Sequence, residues 1–179
     1  YIAGHMFANG IGTGIDPVAA LKWYQLAARN GFADAQSDLA FMYYRGQGVS
    51  RDYTQAAHWY GQAAQQGHRG AQFNLGLMHE KGLGVEPNPD EAMRWYREAA
   101  ELGSLPAQYQ LSLKLFNFEG EPIDAEEARR WLISAADGGF TKARFAIGLL
   151  YSRGLGIERD LVKSYAWLSV AATDGDQTA

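Results

Sequence analysis

The stretch AQSDLAFMYYRGQGVSRDYTQAAHWYGQAAQQGHRG, residues 35–70, holds two apolar periodicities separated by a turn. Ala35, Leu39, Met42 and Tyr43 recur at the three- and four-residue spacing that places side chains on one face of an α-helix. Gly46 ends that run, because glycine adopts at no steric cost the left-handed conformation that closes a helix. Gly46-Gln47-Gly48-Val49 makes the turn. Asp52 then precedes a second run of Ala56, Trp59, Tyr60, Ala63 and Ala64, which Gly67 stops. The stretch predicts a helix A, a turn and an antiparallel helix B.

Outward from it, the same pattern recurs in both directions. Trp23, Trp59, Trp95, Trp131 and Trp167 stand 36 residues apart, and Gly31, Gly67, Gly103, Gly139 and Gly175 keep the same interval. So do the alanine pairs 27–28, 63–64, 99–100, 135–136 and 171–172. A strict period in this range marks stacked supersecondary units that bury their apolar faces against their neighbours. The chain of 179 residues is therefore read as one elongated array, 1–179, with repeats at approximately 1–34, 35–70, 71–106, 107–142 and 143–179.

Helix B starts are signalled by Asp16-Pro17, Asp52, Asn88-Pro89, Asp124 and Asp160, whose side chains suit the N-cap. Asn88 with Glu91, and Asp124 with Glu127, have the capping-box spacing. Ala40, Gly76, Ser112 and Gly148 form a column of small residues that lets helices approach. The five tryptophans are read as the large partners in that core.

Composition narrows the function. Sixteen basic against twenty acidic residues, with no basic run, leave no footprint for a phosphate backbone, so nucleic acid is not an expected partner. No apolar run approaches the length of a membrane span, and direct membrane insertion is not expected. The absence of cysteine excludes disulfides and thiolate metal sites, and leaves the compartment unknown.

These residues closely resemble the Sel-one-like repeat (SLR) family, relatives of the tetratricopeptide repeats. The family pattern A-x-x-x-L-G-x-x-Y-x-x-G-x-G-V, then D and A-x-x-W-Y-x-x-A-A-x-x-G, is met by Ala71 to Gly103 apart from His79 and Asn88. The resemblance covers the whole chain. It implies an all-α, right-handed α/α superhelical solenoid of five helix-turn-helix repeats, acting as a non-enzymatic scaffold or adaptor. Its usual settings are bacterial envelope, secretion and signalling systems, with periplasm or envelope favoured over cytoplasm.

On helix A, positions equivalent to 37, 41 and 44 lie opposite the core stripe of 35, 39 and 42. A solvent-facing stripe should be polar. Here it carries Phe73, Tyr109 and Phe145 in one column, Phe41, Leu77, Leu113 and Leu149 in the next, and Tyr44 and Phe116 in a third. By the resemblance these columns would line a concave groove that binds a protein or peptide segment. Arg45, Lys81, Asn117 and Arg153 would form its rim, and His5 shares the column of Phe41. A second reading buries Phe73, Tyr109 and Phe145 between adjacent A helices.

No catalytic, cofactor or metal motif stands out, and no cofactor is expected. Gly10-Ile11-Gly12-Thr13-Gly14 imitates a phosphate loop but recurs with the period after a helix, as a turn. His5, His58, His68 and His79 include no pair at the i, i+4 spacing of a metal site. His79 takes the slot of Tyr43 and Tyr151 and is read as a packed ring with a hydrogen-bonded tip. Three alternatives to the adaptor remain: a periplasmic regulator of a sensor protein, a hydrolase of cell-wall peptides or β-lactams, and a carbohydrate-binding envelope scaffold.

The fourth repeat breaks the pattern, with Phe118-Glu119-Gly120-Glu121-Pro122 in place of Gly-x-Gly and Lys114 where others have Met42, Met78 or Leu150. Phe118, Glu119 and Glu121, near Phe116, are read as a second partner site. The last helix carries Val162, Ala166 and Val170 where earlier repeats are mostly polar, which predicts end-to-end self-association of what is read as a fragment of a longer protein.

Overall fold

The computed structural model describes residues 1–116 and 124–176. Among the described residues the chain has ten α-helices and no strand: α1 (Ile2–Asn9), α2 (Pro17–Arg29), α3 (Ala33–Arg45), α4 (Tyr53–Gln65), α5 (Arg69–Lys81), α6 (Pro89–Glu101), α7 (Leu105–Phe116), α8 (Ala125–Asp137), α9 (Thr141–Arg153) and α10 (Leu161–Asp176). Odd-numbered helices are A and even-numbered helices are B, the arrangement of an all-α solenoid. The chain divides into two compact bodies, Tyr1–Leu102 with α1 to α6 and Gly103–Ala179 with α7 to α10. Within each body every helix packs against the next.

Local chemistry sets the boundaries. Asp16, Asp52, Asn88, Asp124 and Asp160 all accept backbone N–H groups at the start of their B helices, at 2.8–3.1 Å. Each such cap contributes about 1 kcal/mol. The capping box at Asn88 is only half made, because the Glu91 carboxylate takes Arg94 at 2.7 Å and the Asn88 N–H donates to the His79 carbonyl. Four A helices end on left-handed glycines, Gly10, Gly46, Gly82 and Gly154.

The second glycine of the turn serves packing as well as conformation. A Cβ on Gly48 would lie 2.5 Å from the Pro17 carbonyl oxygen. The turn of one repeat thus presses on the first residue of the preceding helix B. Side chains add a second tie between neighbouring repeats: Gln36, Gln72 and Arg144 donate to the carbonyls of Ala28, Ala64 and Ala136 at 3.0–3.2 Å. These carbonyls belong to the last turns of the B helices, where they also accept the N–H groups of Gly31, Gly67 and Gly139.

The tryptophans do not form the core expected of them. Only Trp95 is buried, while Trp59, Trp131 and Trp167 are half-buried and Trp23 is 43% exposed. The buried large residue is the next one along, Tyr24, Tyr60, Tyr96 or Leu132. It is this side chain that meets the small column: a Cβ on Gly4 or Gly76 would stand 2.8 Å from the ring of Tyr24 or Tyr96, and one on Gly148 would stand 2.8 Å from Leu168. Trp59 instead spans two core clusters, those of the first and second repeats, and Trp95 joins the cluster of the repeat before its own.

Candidate functional site

In the first body, α3 and α5 bring three of the expected groove residues to one recess. Phe41, Tyr44 and Leu77 line a cavity of about 110 Å³ with Tyr60, Asn74, Met78 and Leu83. Phe41 is 45% exposed, and the Arg45 guanidinium stands 5.8 Å from the centre of its ring. Tyr44 is half-buried and meets Tyr53 edge-on, with ring centres 5.4 Å apart. Lys81 is exposed at the end of α5. Burial first, then the neighbouring Tyr44 and Asp38, push the Tyr60 phenol well above its ordinary pKa.

A larger recess of about 500 Å³ opens on the other side of Phe41. It is lined by α1 and its following loop together with Tyr24 and the α3 residues Asp38 and Met42. His5 shares this recess with Phe41, as their common column predicts. Burial raises the Asp38 carboxyl above the usual aspartate range, against the opposing pull of the Tyr24 hydroxyl, His5 and the Tyr1 hydroxyl. Burial first, and then the Asp38 charge, raise both tyrosines.

Phe73 of α5 leans on Tyr96 of its own repeat, with ring centres 5.8 Å apart. Neither sequence reading describes it fully: it is half-buried, and its ring partner is helix B. His79 differs from expectation, since its Nδ1 is buried with no hydrogen-bond partner.

In the second body, Tyr109 and Phe145 line a recess of about 530 Å³ with Leu168, Ala171 and Ala172 of α10. Tyr109 is half-buried against Phe140, at 5.4 Å between ring centres, whereas Phe145 is 53% exposed. Leu113 and Leu149 are half-buried and Arg153 is exposed.

Phe116 is a correction. It was expected on the open face and is buried, 9% exposed, with Cε1 3.4 Å from where Gly156 would carry a Cβ. Lys114 explains the change. Its ammonium cannot enter the slot that Met42, Met78 and Leu150 fill without a large desolvation cost. Lys114 is exposed, and Leu115 and Phe116 are buried in its place. Asn117, Phe118, Glu119 and Glu121 lie outside the described residues.

Asp38, Tyr24 and Asn74 were not singled out from sequence, and Tyr60 was read only as part of the helix B core, although all four line the two recesses of the first body. The available signal was the column Asp38, Asn74, Gln110 and Ala146, whose residues change from repeat to repeat. Among the described residues no group of three potential metal ligands occurs, and no described helix is long and apolar enough to cross a membrane.

The Sel1 repeat model matches residues 1–32, 33–68, 70–104, 105–140 and 141–176. Among solved structures, a Sel1 repeat protein from Oxalobacter formigenes is 35% identical with a TM-score of 0.86, over 95% of this chain and 49% of that one. The protein c5321, a protective antigen present in uropathogenic Escherichia coli strains and displaying an SLR fold, is 30% identical with a TM-score of 0.91, over 98% of this chain and 38% of that one. The chain thus spans less than half the length of either relative. No curated protein matches it. Five consecutive repeat matches, in register with the tryptophan period and with the ten helices, show that the chain belongs to the Sel1 repeat family.

Proposed function

We propose that this chain is a non-catalytic interaction module that binds a peptide or protein segment on its A-helix face. Sel1 repeat proteins are generally protein-interaction scaffolds. The observation that carries the reading here is Phe41, an aromatic residue 45% exposed between two recesses on a helix face that solvent alone would make polar. Tyr44, Phe73 and Leu77, with Arg45 and Lys81 at the edge, are the binding residues of the first body. Tyr109, Leu113, Phe145 and Leu149, with Arg153, are those of the second. The setting we assign, from the family resemblance, is the bacterial envelope or a secretion or signalling system associated with it.

Panning a random dodecapeptide library against the chain tests the reading. Peptides that bind the parent at micromolar affinity and lose about tenfold or more on Phe41→Ser or Leu77→Ser, with unchanged far-ultraviolet circular dichroism, are the expected result. Binding indifferent to both substitutions would remove this face from consideration. Turnover of a β-lactam or cell-wall peptide by the pure chain would overturn the non-catalytic assignment.

A further inference from the structure

The recess between α1 and α3 has a chemistry of its own. Its lining holds one carboxylate, Asp38, and no lysine or arginine, with His5 and Tyr24 beside it. Asp38 is half-buried and has no ion-pair partner within 4 Å among the described residues, where the recorded pairs involve other acids. The groups facing it are the hydroxyls of Tyr1 and Tyr24, the imidazole of His5, and the carboxylate of Asp34. The rings are clustered: Tyr1 stands 6.0 Å from Tyr24 and 6.5 Å from His5 between centres. An apolar wall of Ile15, Phe41 and Met42 completes the recess.

A half-buried carboxylate met by two phenol hydroxyls and an imidazole, with no lysine or arginine within ion-pair distance, is only partly compensated in the free protein. The missing partner is a cation, and both the carboxylate and the ring faces attract one. Resting on the peptide-binding reading above, we infer that this recess takes a lysine or arginine side chain of the bound peptide. The ammonium or guanidinium sits on Asp38 between Tyr24 and His5, and the methylene stem lies across Phe41 and Ile15. Asp38 thereby sets the specificity of the face. The equivalent residue of the third repeat, Asn74, lines the smaller recess and carries no charge, so the preference for a cation belongs to the second repeat alone within this body.

The test uses the selected dodecapeptides. Each is compared with a copy in which arginine is replaced by citrulline, or lysine by norleucine, on the parent chain and on Asp38→Asn, by fluorescence anisotropy. The expected result is enrichment of one basic position and a loss of roughly tenfold or more on either neutral replacement. Combining the two replacements adds little further loss, since they remove the same pair. Peptides that need Phe41 but show no basic position, or that bind Asp38→Asn equally well, overturn this inference and leave the interaction face standing. Failure to select any peptide sensitive to Phe41→Ser overturns both. The citrulline and norleucine arms keep the test decisive even if Asp38→Asn folds poorly.

Discussion

Gly84, in the turn after α5, lies over the first residue of α4: a Cβ on it would stand 2.2 Å from the carbonyl oxygen of Tyr53. Its φ of +70° adds a conformational demand to the steric one. Gly84→Ala is therefore expected to destabilise the chain by about 2–3 kcal/mol. Gly61, inside α4 with nothing within 4 Å of an added Cβ, is the matched control, and Gly61→Ala should stabilise by about 0.5–1 kcal/mol. Urea unfolding followed by circular dichroism checks both; equal effects of the two substitutions would refute the account of the turn.

Tyrosine more than tryptophan carries the core of the first body: Tyr24, Tyr60 and Tyr96 are all buried, and of its tryptophans only Trp95 is. Tyr60 is 2% exposed and Trp23 is 43% exposed. Tyr60→Ala should cost about 3–5 kcal/mol, and Trp23→Ala less than about 1 kcal/mol. A larger loss at Trp23 would restore the tryptophans to the role that their period suggests.

Asp38 makes stability depend on pH in a direction opposite to most acid groups. Its carboxyl is raised, by burial first, above the ordinary value of 3.8. The folded state therefore holds this proton more tightly than the unfolded chain does. Its contribution is fully present below about pH 3.8 and is lost as pH rises through the folded value. Asp38→Asn, which keeps an acceptor for the tyrosine hydroxyls, should melt higher than the parent at pH 7, with the gap closing toward pH 3. A parent more stable than Asp38→Asn at pH 7 contradicts the dominance of burial over the tyrosine and His5 contacts at this carboxylate.

The outer face of α10 leaves Leu161, Val162 and Tyr165 at 58%, 80% and 76% exposure. Such an apolar surface favours association of the isolated chain. Sedimentation velocity should show a weight-average mass that rises with concentration, and Val162→Lys with Tyr165→Lys should return the chain to monomer. A concentration-independent monomer for the parent would remove self-association.

Helix boundaries, turns and the repeat itself were legible in the sequence because each depends on interactions within a few residues. Asp52 caps α4 through an N–H three positions on, and Gly46 closes α3 by its own backbone preference. A strict period then extended that local reading along the chain. The proposed interaction face was legible only in part. Phe41 and Phe145 are exposed as the helical stripe predicts, while Tyr44, Phe73 and Tyr109 lean on rings from other segments.

What the tertiary structure decided was which of several adjacent apolar residues goes inside. Successive helical residues are about 100° apart, and the buried stripe is itself about that wide or wider. Trp59 and Tyr60 therefore both fall on or beside it, and periodicity cannot rank them. The small column at Gly76 selects Tyr96 by fit, and Lys114 moves burial to Leu115 and Phe116 through the cost of dehydrating an ammonium. Asp38 became a candidate only when α1 and α3 closed around it, because a recess is made by segments distant in sequence. Local preferences thus determine the repeats, and packing between helices determines the chemistry that their surface presents.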